Sequence, residues 1–201
     1  LSKLRIVDAD GKPAPCQFGV IDRWLNEADP SVRWLLVDFI GKVNSTESST
    51  YYLRDDGGEK VAGSPLKLQD GADKLTVVTG PLKFTVSKKA FNVIDEAWFD
   101  ANNDGQFTDD EQYVKSSPDN GGVVTSGDWP EQGYKAGEKY YSSARPPRLF
   151  AIEEAGPCRV CIRVDGTHHA REGGSPDGLY DYRVRIQAYA GQRYVKVTYA
   201  I

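Results

Sequence analysis

The segment Asp100-Ala-Asn-Asn-Asp-Gly-Gln-Phe-Thr-Asp-Asp-Glu111 carries the strongest local signal in the chain, and its flanks separate a helical protein from a β protein. Asp100, Asn102 and Asp104 place oxygens at positions one, three and five of a twelve-residue calcium loop. Gly105 supplies the sharp turn at six, Gln106 offers its main-chain carbonyl at seven, and Thr108 sits at nine. Glu111 closes the loop as a bidentate carboxylate, and Phe107 is the apolar residue that anchors such a loop to the protein body. A hard dication takes six to eight oxygens, which this spacing gathers from one segment, so calcium is the expected cofactor. The competing reading is a polar hairpin tip in which Asp and Asn serve only turn chemistry.

A helix entering this loop needs apolar residues one, four, five and eight positions before Asp100. Only Phe99 qualifies, because Glu96, Asp95 and Asn92 occupy the other places. On the exit side Pro118 follows soon after Val114 and Lys115, too early for a partner helix. Both flanks read as extended chain, so the loop is expected on a β-hairpin, where a metal stiffens it and switches no helices.

Working outward, the whole sequence agrees with that reading. Its 201 residues are enough for one large or two small domains with a real core. Aromatics are plentiful, Gly and Pro are spread throughout, and few segments show a helical period, which is an all-β profile. A formal charge of −4 argues against a general nucleic-acid binder. No apolar run approaches membrane-spanning length, and no signal segment is evident, so no membrane partner is expected. The chain contains no methionine, so Leu1 reads as other than a native start, and the chain as a processed or excised part of a longer protein. Cys158 and Cys161 spell Cys-x-x-Cys within one expected strand, where an odd offset sends the side chains to opposite faces. Free buried thiols are therefore expected, with a bond from Cys16 to either left open.

Taken in order, Leu4 to Val7 is a short strand turning at Asp10-Gly11, a hairpin signal, and Gln17 to Trp24 returns as a strand. A loop through Asn26 to Pro30 leads to Ser31–Phe39, whose continuous apolar run suggests a strand buried on both faces. A polar Ser/Thr segment from Asn44 to Thr50 precedes a further strand from Tyr51 to Arg54. Short strands this dense suit a small barrel over residues 1–72. After the turn at Asp70-Gly71 a second pattern begins and is expected to form an antiparallel β-sandwich over 73–201, continuing into a downstream domain. Leu75–Thr79 and Leu82–Ser87 alternate across Gly80-Pro81, and Val93–Phe99 feeds the calcium loop. Ser116–Gly137 has no period and reads as a long loop carrying Trp129 and Tyr134. The last strands are the clearest, with a hairpin at Ala190-Gly191-Gln192. Cys158, Val160, Ile162, Val164, Tyr180, Tyr182, Val184, Ile186, Val195, Val197 and Tyr199 fall on a core side.

The run Arg5-Ile-Val-Asp-Ala-Asp-Gly-Lys-Pro13, then Gln17-Phe18, Trp24 and Ser31-Val-Arg-Trp-Leu-Leu-Val-Asp-Phe39, resembles the N-terminal region of exo-type rhamnogalacturonan lyases, in the manner of polysaccharide lyase family 26. That resemblance implies a RIFT-type barrel, then a β-sandwich, then a helical toroid that has no counterpart in this chain. It departs from the family at Asp29-Pro30-Ser31, where a longer loop replaces the family's Trp-Pro-Asp-Gly-Ser turn. It implies a secreted, extracellular or periplasmic enzyme acting on acidic pectic polysaccharide, and supplies no catalytic residue for this chain.

Lyase cleavage of a uronate chain needs a base to remove the proton beside the carboxylate and a cation to stabilise the enolate. The available parts are His168, His169, Arg171 and Tyr180, with both histidines on a Gly-rich loop. The plainer account is a solvated loop whose histidines do nothing specific. There is no Gly-x-Ser-x-Gly elbow, phosphate-binding glycine loop or dinucleotide fingerprint. Arg159, Arg163, Arg183, Arg185 and Lys196 alternate away from the expected core, with Tyr194 on the same side, as a face for an acidic polysaccharide. Asp165 and Asp181 could instead neutralise that face across strands, or a downstream domain could cover it. Two readings stand: a non-catalytic front part of a polysaccharide-degrading enzyme with structural calcium, or a free-standing calcium-stabilised surface or adhesion module.

Overall fold

The computed structural model describes residues 1–24, 31–43, 46–119, 121–128, 133, 135–172 and 177–201. Among these residues every element is a β-strand apart from one short 3-10 turn at Asp109–Glu111. The chain divides into two units, Leu1–Ser64 with Gly156–Arg159, and Pro65–Ala155 with Val160–Ile201. The division falls earlier than the Asp70-Gly71 turn suggested. That turn joins two paired strands of the second unit, with the Gly71 N–H donating to the Lys74 carbonyl at 3.0 Å.

In the first unit, β1 (Leu4–Asp8) pairs antiparallel with β2 (Pro13–Ala14), Val7 facing Pro13. Asp8 organises the turn between them. Its carboxylate accepts the N–H groups of Asp10 and Lys12 at 3.1 and 2.8 Å, and its carbonyl accepts that of Gly11 at 3.0 Å. Gly11 takes φ +79°, a conformation that costs a residue without Cβ little. Next, β3 (Cys16–Arg23) and β4 (Val32–Phe39) form a separate antiparallel ribbon, and β5 (Tyr51–Asp55) covers the other edge of β1. The strands expected to make a small barrel are thus hydrogen-bonded as a three-stranded sheet and a two-stranded ribbon. The Val32–Phe39 strand, expected to be buried on both faces, has no buried residue, and Trp34 is 59% exposed. It pairs with β3 alone, so an apolar run that would suit a central strand lies on a ribbon. Gly156–Arg159 joins this unit through Gln17, whose side-chain oxygen accepts the N–H groups of Cys158 and Arg159 at 2.9 and 2.8 Å. The three cysteines are free, as expected, and burial pushes the Cys158 thiol up to about 11.

The second unit starts with β6 (Lys67–Asp70), β7 (Lys74–Val78), β8 (Leu82–Ser87), β9 (Glu96–Phe99) and β10 (Gln112–Val114), ordered β10-β9-β8-β7-β6 in one antiparallel sheet. Then β11 (Val123–Asp128) and β12 (Lys135–Tyr141) pair with each other. The stretch 116–137, expected to be an aperiodic loop, therefore holds a hairpin whose polar, Gly-containing strands bury too little to show an alternating pattern; Trp129 and Tyr134 lie outside the described residues. Finally β13 (Leu149–Ala155), β14 (Arg159–His168), β15 (Leu179–Tyr189) and β16 (Val195–Ala200) form a sheet in sequence order.

Alternation makes the core. Leu75 and Val77 of β7, Phe84 and Val86 of β8, Val160, Ile162 and Val164 of β14, and Val184, Ile186 and Ala188 of β15 are each at most 1% exposed. Each Val, Leu, Ile or Phe buried in this way is worth roughly 1.5–3 kcal/mol of transfer free energy. Two expected core residues depart from the pattern. Tyr180 has φ +60°, which takes it off the strand's alternation and leaves it 62% exposed. Val197 is 40% exposed because β16 is the edge of its sheet.

Candidate functional site

Phe99 ends β9 and Asp100 begins the loop that returns into β10, so the calcium-type segment sits on a β-hairpin. Its main chain folds around its own carboxylates. Asp100 accepts the N–H groups of Asp104 and Gly105 at 3.1 and 2.9 Å, and Asn102 also accepts from Asp104 at 2.9 Å. Asp104 accepts from Gln106 at 2.8 Å. Asn103 and Gly105 take φ +59° and +76°, the two left-handed residues that wind the segment tightly. Glu111 closes the ring, accepting from the Ala101 N–H at 3.2 Å, the Thr108 N–H at 3.0 Å and the Thr108 hydroxyl at 3.1 Å. Asp100 and Glu111 are buried, 4% and 8% exposed, and among the described residues no Lys, Arg or His pairs with either.

Burying two carboxylates beside each other's loop ends costs free energy unless a cation or many hydrogen bonds compensate. The donor set of carboxylate, amide, hydroxyl and main-chain oxygens suits a hard dication, so the residues present fit calcium. Among the described residues no three carboxylate, imidazole or thiol side chains stand at common metal-binding reach. The loop carboxylates are held instead by the N–H groups named above, and a bound ion would hold the loop ends Asp100 and Glu111 together.

The four residues expected to serve lyase chemistry fall into two sets of contacts, His168 with Tyr180, and His169 and Arg171 each with Tyr141. His168 is a strand residue rather than a loop residue: it ends β14 and is fully buried. Its Nδ1 lies 2.9 Å from the Tyr180 carbonyl, which only accepts, so Nδ1 carries the proton. Its Nε2 lies 2.7 Å from the Tyr199 hydroxyl, which donates to it. Both nitrogens are thus occupied, and Tyr182 packs edge-on against the ring at 5.1 Å. His169 bridges to Tyr141 through the main chain, and its Nδ1 is buried without a hydrogen bond. Burial, with Arg145 adding to it, holds this imidazole below its ordinary value, so it is neutral near neutral pH. Arg171 lies over the Tyr141 ring at 4.1 Å, pairs with Asp119 at 2.7 Å and donates to the Pro118 carbonyl. Tyr180 contributes its carbonyl to His168 and turns its side chain to solvent.

The expected cationic face is divided. Arg159 is buried and belongs to the first unit, where it pairs with Asp38 at 3.0 Å. Arg163 forms a bidentate pair with Asp165 at 2.9 and 2.6 Å, and Arg183 reaches the same carboxylate at 3.2 Å. Arg185 is bidentate on Glu153 at 2.7 and 3.0 Å. Glu153 comes from β13, a strand the alternation analysis did not place, at the irregularity between Ile152 and Glu154. Arg163 first, then Arg183, holds Asp165 down at about 2, and Arg185 holds Glu153 below its ordinary value. Three guanidiniums against two carboxylates leave a formal surplus of one positive charge. Asp181 pairs with Arg148 and accepts from Thr167. Lys196 is exposed on β16, and Tyr194, 57% exposed, lies near Tyr189 at 6.1 Å.

Sequence reasoning missed Tyr199, whose place in a clear core strand gave no hint of its contact with His168. It also missed Arg193, Phe99 and Tyr113 as a group, although Phe99 directly precedes the calcium-type segment and Tyr113 stands two residues past its end. Among the described residues no helix is long and apolar enough to cross a membrane. Comparison with curated proteins finds no match. The family model of the PcRGLX-like protein central beta sandwich domain matches residues 66–201, which includes both large sheets of the second unit, and the chain belongs to that rhamnogalacturonan lyase-like family.

Proposed function

We propose that this chain is a non-catalytic, calcium-stiffened scaffold from the front of a secreted enzyme that degrades acidic pectic chains of the rhamnogalacturonan type. The observation that carries the reading is the state of His168, one of the two imidazoles the sequence offers as a base. It is fully buried, with one nitrogen on a carbonyl and the other on a tyrosine hydroxyl, so it has no free nitrogen to take a proton from a sugar. Arg171, the cation nearest in sequence, is already paired with Asp119. Membership of a family whose matched region is described as central supports flanking domains, with residues 1–64 in the unit before it and the catalytic groups on a downstream domain. Calcium supplies charge to compensate the buried carboxylates of Asp100 and Glu111, with Asn102, Asp104, Gln106 and Thr108 as the remaining oxygen donors.

The test is incubation of the chain, with calcium present, with rhamnogalacturonan and polygalacturonate while following ultraviolet absorbance of the unsaturated product. No product is expected from either polymer. Sustained product formation that is lost in His169→Ala or Arg171→Ala would overturn the non-catalytic assignment.

A further inference from the structure

We propose that a groove on the second unit, beside the calcium-type loop, binds a uronate-bearing sugar ring, with Phe99, Tyr113 and Tyr194 as its aromatic walls and Arg193 as its carboxylate contact. The assignment of ligand rests on the acidic-polysaccharide reading above; the assignment of place rests on the geometry. Strand register puts Leu82 opposite Phe99 and Phe84 opposite Ala97, so these four side chains share one face of the first sheet. Tyr113 joins them from β10, its ring at 6.3 Å and 69° from that of Phe99. Arg193 lies with its guanidinium 5.2 Å from the Phe99 ring. Together they line a hollow of about 380 Å³, which adjoins a second of about 290 Å³ reaching Ile94, Tyr194 and Val195. Leu82, Ala97 and Arg193 line both.

Two features make this groove different from the arginine-rich face. First, Arg163, Arg183 and Arg185 are each held by Asp165 or Glu153, whereas Arg193 has no carboxylate partner among the described residues. A guanidinium that only stacks on an aromatic ring keeps its planar donor edge for a carboxylate in bidentate geometry. Second, Tyr113 and Tyr194 are 72% and 57% exposed around an apolar floor of Leu82, Phe84 and Ala97. Flat aromatic faces over such a floor suit the C–H face of a pyranose, and the phenolic hydroxyls suit its ring substituents. A purely apolar ligand would strip water from Arg193 without replacing it, and a neutral sugar would leave the guanidinium unpaired. A carboxylated sugar satisfies both the cation and the rings.

The experiment is isothermal titration of the calcium-loaded chain with oligogalacturonate, rhamnogalacturonan oligosaccharide and a neutral cello-oligosaccharide. Binding is expected for the two acidic ligands, weakening as salt is added, and much less for the neutral one. Arg193→Gln and Tyr113→Ala should each weaken acidic binding about tenfold or more, the scale of one charge-assisted or stacking contact. Both residues are exposed, so their variants should melt as the parent does. The double variant Arg183→Gln, Arg185→Gln should bind like the parent. Acidic binding that survives in both groove variants, or is lost only in the double variant, overturns the groove while leaving the acidic-polysaccharide reading in place. Absence of binding to every acidic ligand overturns the groove together with the ligand class assigned to it.

Discussion

His168 shows how one residue's surroundings decide between chemistry and stability. Its ring joins the Tyr180 carbonyl to the Tyr199 hydroxyl in a fully buried position. Gly166 and Gly122 leave room for this arrangement: a Cβ on Gly166 would collide with the Tyr182 hydroxyl, and one on Gly122 with that of Tyr199. His168→Leu removes the partner of the Tyr180 carbonyl and of the Tyr199 hydroxyl at once, so it should cost about 2 kcal/mol of stability. Urea unfolding measures this directly; a loss below about 1 kcal/mol would show that the network carries little of the fold's stability. The histidines stood out in sequence because they are the only two in the chain. Their burial was hidden, because His168 sits two residues past Gly166, where loop composition and strand alternation overlap. Only the strand length, ten residues through His168, shows that it lies inside the sheet.

At the scale of elements, β13 to β15 carry an ion-pair ladder where an open cationic face was expected. Alternation correctly put Arg163, Arg183 and Arg185 off the core side. It could not supply Glu153, because that residue sits at a register irregularity that breaks the period of two on β13. Asp165 holds two of the arginines and titrates at about 2, below the unfolded carboxyl near 3.8. A depressed folded value contributes stability that is complete above the unfolded value and is lost as pH falls from about 4 toward 2. Asp165→Asn should therefore be less stable than the parent at neutral pH, and the gap should close between pH 4 and 2. Urea unfolding of the two proteins across that window checks the sign; a gap that persists unchanged at the acid end would show that packing, not charge, sets the effect. The hairpin across Gly191 was legible from its turn residues, the glycine adopting φ +73°; at Gly11, φ +79°, the turn was legible but the return strand was not, because Pro13–Ala14 rather than the Gln17 strand pairs with β1. The β11–β12 hairpin was not, since its strands are polar and largely exposed.

Across the whole molecule, the all-β character was legible in the plentiful aromatics, the spread of Gly and Pro and the few helical periods, and the second unit is the central β-sandwich of its family. The position of the division was less legible, because the tight turn at Gly71 within a sheet uses the same residues as a linker between domains. The proposed calcium site would connect the local and the global scales. The loop joins β9 to β10 at the edge of the five-stranded sheet, and its two buried carboxylates bring charge into that unit. An ion that binds only the folded chain stabilises it by mass action, by about 2.7 kcal/mol at a hundredfold excess over Kd. For a chain of this length that is a shift in Tm on the order of 5–10 °C. Glu111→Ala should remove most of the shift, because it deletes the proposed bidentate ligand, whereas Thr108→Ala should remove less, since position nine often acts through water. The deciding measurement is the melting temperature of the parent and of Glu111→Ala in excess calcium and in excess chelator. A clear rise with calcium is expected in the parent and little in the variant; identical parent melts in both conditions, with no calcium found by elemental analysis of the purified chain, would contradict calcium binding by this loop.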